Sequence, residues 1–230
     1  LTEEEKKQAY FKAQSAKAAQ ARWPLKEVLR NKYAWLLMVS FGILIMFASG
    51  IGSTLVPFAL ETGYTQPQAM VIISVTSLIS VAGSLITGFM DTKIGTKVTA
   101  AISAIWISIA FFSLLVLPGK AGFWVCLSMA MMTMGAVANL CASLIASCFG
   151  RDNFTQIFRI IFTGVYIIRG LVFLILGGGR AALGSYRAVY IVFGVLAAIA
   201  TVLVLIIKDK VVQQPKTITE EASYAKSESI

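Results

Sequence analysis

The sequence predicts an all-α membrane protein of six transmembrane helices, and three observations carry that prediction. Of its 230 residues 57% are hydrophobic and only 13% charged, too apolar a balance for an ordinary soluble domain. The apolar residues fall into six runs, each near the ~20 residues that cross a hydrocarbon layer. None of these runs alternates with the period of two that a membrane β-barrel requires.

Taken in order, the spans are expected at about 33–60, 66–90, 98–117, 123–148, 155–177 and 187–207. The breaks between them have turn chemistry: LETGYTQP contains Gly63 and Pro67, LPGKAG contains Pro118 and Gly119, and GGGRAALGSYR supplies a glycine run. The run Gly177–Gly179 is read as a loop, with no Walker pattern after it that would make it a phosphate cradle. Residues 1–32 read as a cytoplasmic linker, with TEEEKKQAYFKAQSAKAAQ as a polar helix opened by a Thr2/Glu5 capping box. WPLKEVLRNKYAW then suits an interfacial helix feeding the first span. Residues 33–207 form the six-helix bundle and residues 208–230 a polar, disordered cytoplasmic tail. The chain opens on Leu1, so it is read as part of a longer polypeptide, and its first thirty residues are too polar for a signal sequence.

Charge placement excludes some functions and orients the bundle. The net charge of +9 does not mark a nucleic-acid binder, because the cations sit at the chain ends and in the breaks. Lys6, Lys7, Lys12, Lys17, Arg22, Lys26, Arg30 and Lys32 precede the first span; Lys93 and Lys97 fill the second break, Arg151 the fourth, and Lys208, Lys210, Lys216 and Lys226 the tail. The opposite side has Lys120, Arg180 and Arg187. This bias places both termini in the cytoplasm. With no histidine, histidine-based catalysis and histidine metal sites are excluded, and neither cofactor nor metal is expected. Cys126, Cys141 and Cys148, an odd number within one apolar run, read as packing residues.

One break is unusual. GFMDTKIGTK crowds Gly88, Asp91, Lys93, Gly95 and Lys97 between the second and third spans. Gly88 is expected to permit close helix approach and Gly95 a sharp turn of positive φ. Lys93 and Lys97 anchor the turn on the cytoplasmic side, and Asp91 is expected to pair with them or with a neighbouring helix N-terminus.

The stretch resembles the cytoplasmic loop signature of the major facilitator superfamily, G-x-x-x-D-R-x-G-R-[RK]. Gly88, Lys93, Gly95 and Lys97 fit it, whereas Thr92 stands at the family's acid, Asp91 lies one position early and Thr96 replaces an arginine. A long basic segment before six spans is similar to the linker between the two halves of that family. FGRDNFTQIFRIIFTG and LGSYRAVYIVFG resemble the turns bracketing the penultimate span of the oxalate/formate antiporter and monocarboxylate transporter branch. The resemblance implies the C-terminal six-helix half of a twelve-helix transporter in the bacterial plasma membrane. It also implies a second half, either a missing N-terminal one or another copy, as partner.

Polar groups inside the bilayer are the first candidates for a site. In the fifth span Arg159, Thr163, Tyr166, Arg169 and Gly170 fall within roughly a third of the helix circumference. Arg159 is close enough to the cytoplasmic end to snorkel; Arg169 lies ~12 Å from Gly177, deeper than an interfacial residue. A guanidinium suits a carboxylate or phosphate, and in the resembled branch a cation in this span helps to bind the dicarboxylate. The second span has no basic residue to supply another. Asn139 in the fourth span is read as a solute contact or an interhelical hydrogen-bonding residue. The first span, with Ser49, Gly50, Gly52, Ser53, Thr54 and Pro57, reads as bendable and cavity-lining. Ser77, Ser80, Ser84 and Gly88 form a small-residue stripe expected to pack closely, against the second half. The nearly aliphatic third and sixth spans are expected to face lipid.

The resemblance, together with the cation in the fifth span, implies a secondary transporter, antiporter or symporter, moving a small organic anion by alternating access, with no catalytic residues expected. No acid lies well inside a span, so a titrating group for proton coupling would have to lie elsewhere. Two other readings stand: an exporter of apolar or cationic compounds with Arg169 in a structural ion pair, and a non-transporting interaction module working through its tails.

Overall fold

A computed structural model of the chain describes residues 25–150 and 154–207. The polar helix expected before Trp23, the Arg151 turn and the tail lie outside the described residues. A short helix, α1 (Leu25–Arg30), leads into α2 (Lys32–Glu61), whose N-cap Asn31 accepts the Tyr33 amide proton at 2.9 Å. There follow α3 (Gln66–Ile94), α4 (Thr96–Val116), α5 (Gly119–Phe149), α6 (Phe154–Gly170), α7 (Val172–Leu183) and α8 (Tyr186–Ile206). Helices α6 and α7 together make one 30-residue span, so the described residues contain six helices long and apolar enough to cross a membrane. The all-α, six-span fold predicted from the sequence is the one observed.

The turns are shorter than the sequence reading has them. Gly63 (φ +90°) reverses the chain after α2, and Pro67 sits in the first turn of α3, where its missing N–H removes no helical bond. Gly95 alone, at φ +89°, separates α3 from α4, as the positive φ expected of it requires.

The glycine run departs from expectation. Gly177, Gly178 and Gly179 are helical, inside α7, and the chain turns only at Gly184 (φ +73°) and Ser185. Glycine is a poor helix former in water, but hydrocarbon offers the backbone no other hydrogen-bond partner, so the ladder continues through the run. The fifth span therefore reaches Leu183 rather than 177.

Helix packing has an internal symmetry. Helix α2 packs on α6 as α5 packs on α3, α2 lies against α8 as α5 lies against α4, and α2 and α5 meet at the centre. Exchanging the first three spans for the last three reproduces the pattern, and an odd number of spans per triplet makes the two run in opposite senses. This is an inverted repeat. An aromatic cluster of Phe47, Phe58, Phe111, Phe123, Tyr190 and Phe193 fills the space between α2, α4, α5 and α8. Inside it the Tyr190 hydroxyl and Thr54 Oγ1 lie 3.0 Å apart.

Small residues set the closest contacts. A Cβ on Gly83 would overlap the carbonyl oxygen of Met132, and one on Gly135 would overlap the Ser80 and Ser84 hydroxyls. The expected stripe on α3 is thus corrected: Ser80 and Ser84 pack within the chain, on α5, whereas Ser77 and Gly88 are exposed. Gly88 makes no close approach, because an added Cβ would meet nothing within 4 Å. The expectation for the third and sixth spans also needs amending. Helices α4 and α8 bury one stripe against each other, with Ser108 and Thr201 hydroxyls 3.2 Å apart, and turn only their outer aliphatic faces away.

Gly83→Ala is expected to destabilise the bundle by roughly 1–3 kcal/mol, because its methyl group meets backbone rather than a movable side chain. Gly88→Ala, at an open helical position, leaves stability unchanged or slightly raised. Thermal unfolding midpoints in detergent compare the two.

Candidate functional site

The continuation of α6 into α7 relocates Arg169. Arg169 lies at the middle of the Phe154–Leu183 span, ~21 Å of helical rise from Leu183, deeper still than the ~12 Å expected from a span ending at Gly177. The helix tightens immediately after it. The Leu171 amide donates to Ile168 O at 3.1 Å, a three-residue bond, and α7 begins at Val172.

Two helices hold the guanidinium. Arg169 Nε donates to Ser49 Oγ on α2, and its Cζ stands 5.3 Å from the centre of the Tyr166 ring. The half-buried side chain is thereby fixed at one end by a hydrogen bond and on one face by an aromatic ring. With Nε engaged, the two terminal nitrogens remain as a pair of parallel donors. Ser49 belongs to the first-span group already singled out, but only the fold shows that it is the residue reaching Arg169.

Tyr166 also ends a ladder that the sequence reading missed. Phe154, Phe158, Phe162 and Tyr166 recur every fourth residue along one side of α6. Their successive ring centres are 5.2, 4.0 and 6.0 Å apart, and Phe158 and Phe162 are stacked. The four-residue spacing was the available signal.

The other expected site residues divide. Ser53 is exposed one turn beyond Ser49 on α2, and its hydroxyl bonds back to the carbonyls of Ser49 (2.8 Å) and Gly50 (3.1 Å). Pro57 has no N–H to give to the Ser53 carbonyl, which leaves that acceptor without its usual helical donor. Thr163 is exposed and donates to Arg159 O at 2.8 Å; it lines a groove toward α1 on the other flank of α6 from Arg169. Asn139 is exposed on α5. The structure therefore joins Arg169 and Tyr166 to α2 near Ser53, and sets Thr163 apart.

In GFMDTKIGTK, Gly88, Asp91 and Lys93 belong to the end of α3 and Lys97 to the start of α4. The expected pairing of Asp91 with a lysine is not formed among the described residues, and its buried Oδ1 has no hydrogen-bond partner there. Lys93 instead lies 5.6 Å from the Phe89 ring centre. With only Gly95 between two helices, the lysines stand on adjoining helix ends and have no loop in which to fold back.

The end where α2 meets α3 is built differently. The Glu61 carboxylate accepts the Tyr186 amide at 3.1 Å and pairs with Arg180 at 3.5 Å, tying α2, α7 and α8. Arg187 donates to Leu114 O, at 2.6 Å from its Nη2, and Lys120 lies 4.6 Å from the Tyr64 ring centre.

Comparison with known families decides the wider identity. The family model described as Major Facilitator Superfamily matches residues 37–228. The chain belongs to the major facilitator superfamily. It is an integral membrane protein of a transporter family, and its surroundings are a lipid bilayer and a transported solute. No curated protein sequence matches it significantly.

Gly95→Val is expected to strain the α3–α4 turn by ~1–2 kcal/mol, since a β-branched residue resists φ +89°. Transport per molecule falls more than the amount of protein in the membrane; full transport at matched levels would show the turn to be an ordinary connection.

Proposed function

We propose that this member of the superfamily carries a small organic anion, such as a carboxylate, and that Arg169 binds it. The observation that carries the reading is the held guanidinium at mid-span: Ser49 and Tyr166 orient it, and its terminal nitrogens offer the bidentate geometry a carboxylate fits. Tyr166, Ser53 and Asn139 are the accompanying solute contacts; Thr163, a candidate from the sequence, lines the separate groove toward α1 and is left out. Of these, Tyr166 has the firmer support, because its ring lies against the Arg169 guanidinium, and Ser53 stands one turn from Ser49, which Arg169 contacts. The likeness of the G-R-x-N-F and G-S-Y segments to the oxalate/formate and monocarboxylate branch agrees with an anionic solute.

The mechanism proposed is alternating access. Six spans supply one bundle, and a central site needs a second bundle to rock against it. A second six-helix half, upstream or from another copy, completes the cavity, and Gly88, Asp91, Lys93, Gly95 and Lys97 form the gating turn. Among the described residues the acids Glu61 and Asp91 stand toward the ends of their spans, which favours exchange or uniport over proton coupling through this half.

Orientation has a direct test. The lysine and arginine bias puts both termini in the cytoplasm. A cysteine at Lys93 or in the tail is then protected from impermeant thiol reagents in intact cells, and one at Lys120 reacts. Labelling at Lys93 from outside reverses the assignment.

For the solute, Arg169→Gln should weaken carboxylate exchange by about ten- to hundredfold, the loss of one charge-assisted bidentate contact. Arg169→Lys keeps part of the activity, because an ammonium is a point charge without the fork. The assay is exchange of labelled small carboxylates in proteoliposomes holding the complete two-half transporter. Equal exchange by wild type and Arg169→Gln at matched protein levels would falsify the anion-binding role.

A further inference from the structure

Two grooves flank Trp35 at the end of the bundle where α2 and α6 begin. One, of about 520 Å³, is lined by Leu25 and Leu29 of α1, Met38 of α2, and Arg159, Ile160, Thr163 and Ile167 of α6. The other, of about 550 Å³, lies between Leu29, Leu36, Val39 and Leu203, with Arg30 and Lys32 on its rim. Neither is part of the Arg169 cluster.

We infer that the Arg159 groove is a binding site for an anionic phospholipid, one acyl chain lying in the slot and the headgroup phosphate on Arg159. Shape supports this first. From Arg159 to Ile167 the slot runs ~12 Å along α6, parallel to the spans, so a chain entering at the interface lies along the helices. Its walls there are mostly apolar, and the one hydroxyl among them, on Thr163, already donates to Arg159 O, which suits hydrocarbon better than a polar solute.

Charge supports it next. Arg159, Arg30 and Lys32 make no ion pair among the described residues, although Lys32 lies 5.4 Å from the Tyr33 ring centre. Glu27, the acid on α1, lines neither groove. None of these cations has a carboxylate partner among the described residues, and basic pockets between spans are suited to acidic lipid headgroups. Trp35 is half exposed between the grooves and donates its indole N–H to Leu29 O at 2.7 Å. This is the amphipathic placement of an interfacial tryptophan, and the bond also fastens α1 as the groove's outer wall.

The test uses the full chain in bilayers with Trp35 as reporter, the other three tryptophans being replaced by phenylalanine. Brominated-chain phosphatidylglycerol is expected to quench Trp35 with about fivefold higher apparent affinity than brominated phosphatidylcholine, the effect of one engaged cation. Arg159→Gln should bring the ratio close to one, Arg159→Lys should keep most of it, and Lys97→Gln, a cation at the same end but outside the groove, should leave it unchanged. A second readout needs no tryptophan replacement: native mass spectrometry of wild type and of Ile167→Phe, which narrows the slot and should retain less phosphatidylglycerol. Equal quenching by both lipids overturns the site. So does a ratio lowered as much by Lys97→Gln as by Arg159→Gln, which would mean diffuse attraction, or one abolished by millimolar inorganic phosphate, which would mean a soluble anion.

Discussion

Hydrocarbon offers a backbone amide no hydrogen-bond partner, and the rest of this structure depends on that constraint. It keeps Gly177–Gly179 helical, shrinks the α3–α4 connection to the single residue Gly95, and pushes the turns to the ends of the spans. The helical glycine run has a further effect. By carrying the fifth span on to Leu183, it puts Arg169 at the middle of that span, where a guanidinium in hydrocarbon has to be held by protein or water.

The same solvent weakens the hydrophobic drive between helices, so contact geometry decides which helices pair. Gly83 and Gly135 let α3 and α5 touch through backbone and hydroxyl groups; Gly42 and Gly164 admit Ile168 and Met38 between α2 and α6; Gly50 receives Phe193 of α8. Hydroxyl groups mostly serve the helices that carry them. Thr54, Thr76, Thr87 and Ser108 each donate to a carbonyl four residues earlier. A serine or threonine inside a span is thus weak evidence of a solute contact. Ser49 differs because it accepts from a guanidinium on another helix.

Cations are used differently at the two ends of the bundle. Where α2 meets α3, Arg180 is tied to Glu61 of α2, Arg187 to the Leu114 carbonyl oxygen at the end of α4, and Lys120 of α5 to the Tyr64 ring in the α2–α3 turn. At the other end Arg30, Lys32, Lys93, Lys97 and Arg159 have no carboxylate partner among the described residues. Charges of the first kind hold helices together, and charges of the second kind remain available to the membrane surface.

The sequence by itself determined the fold class, the number of spans and the positive φ at Gly95, because span length, apolar composition and the steric freedom of glycine are local properties. It also picked out Arg169 and Tyr166, since a cation in an apolar run and its neighbour on the same helical face are visible in one dimension. Only the tertiary structure decided that Ser49 holds Arg169, that Thr163 faces α1 instead, and that Ser80 and Ser84 pack on α5. It also decided that Asp91 finds no lysine and that α4 and α8 share a buried stripe. Each of these depends on which helix lies opposite, and a helix's own periodicity describes its faces without naming the neighbour each one meets. The glycine run was misread for a related reason: its propensity in water says turn, and its position in hydrocarbon says helix.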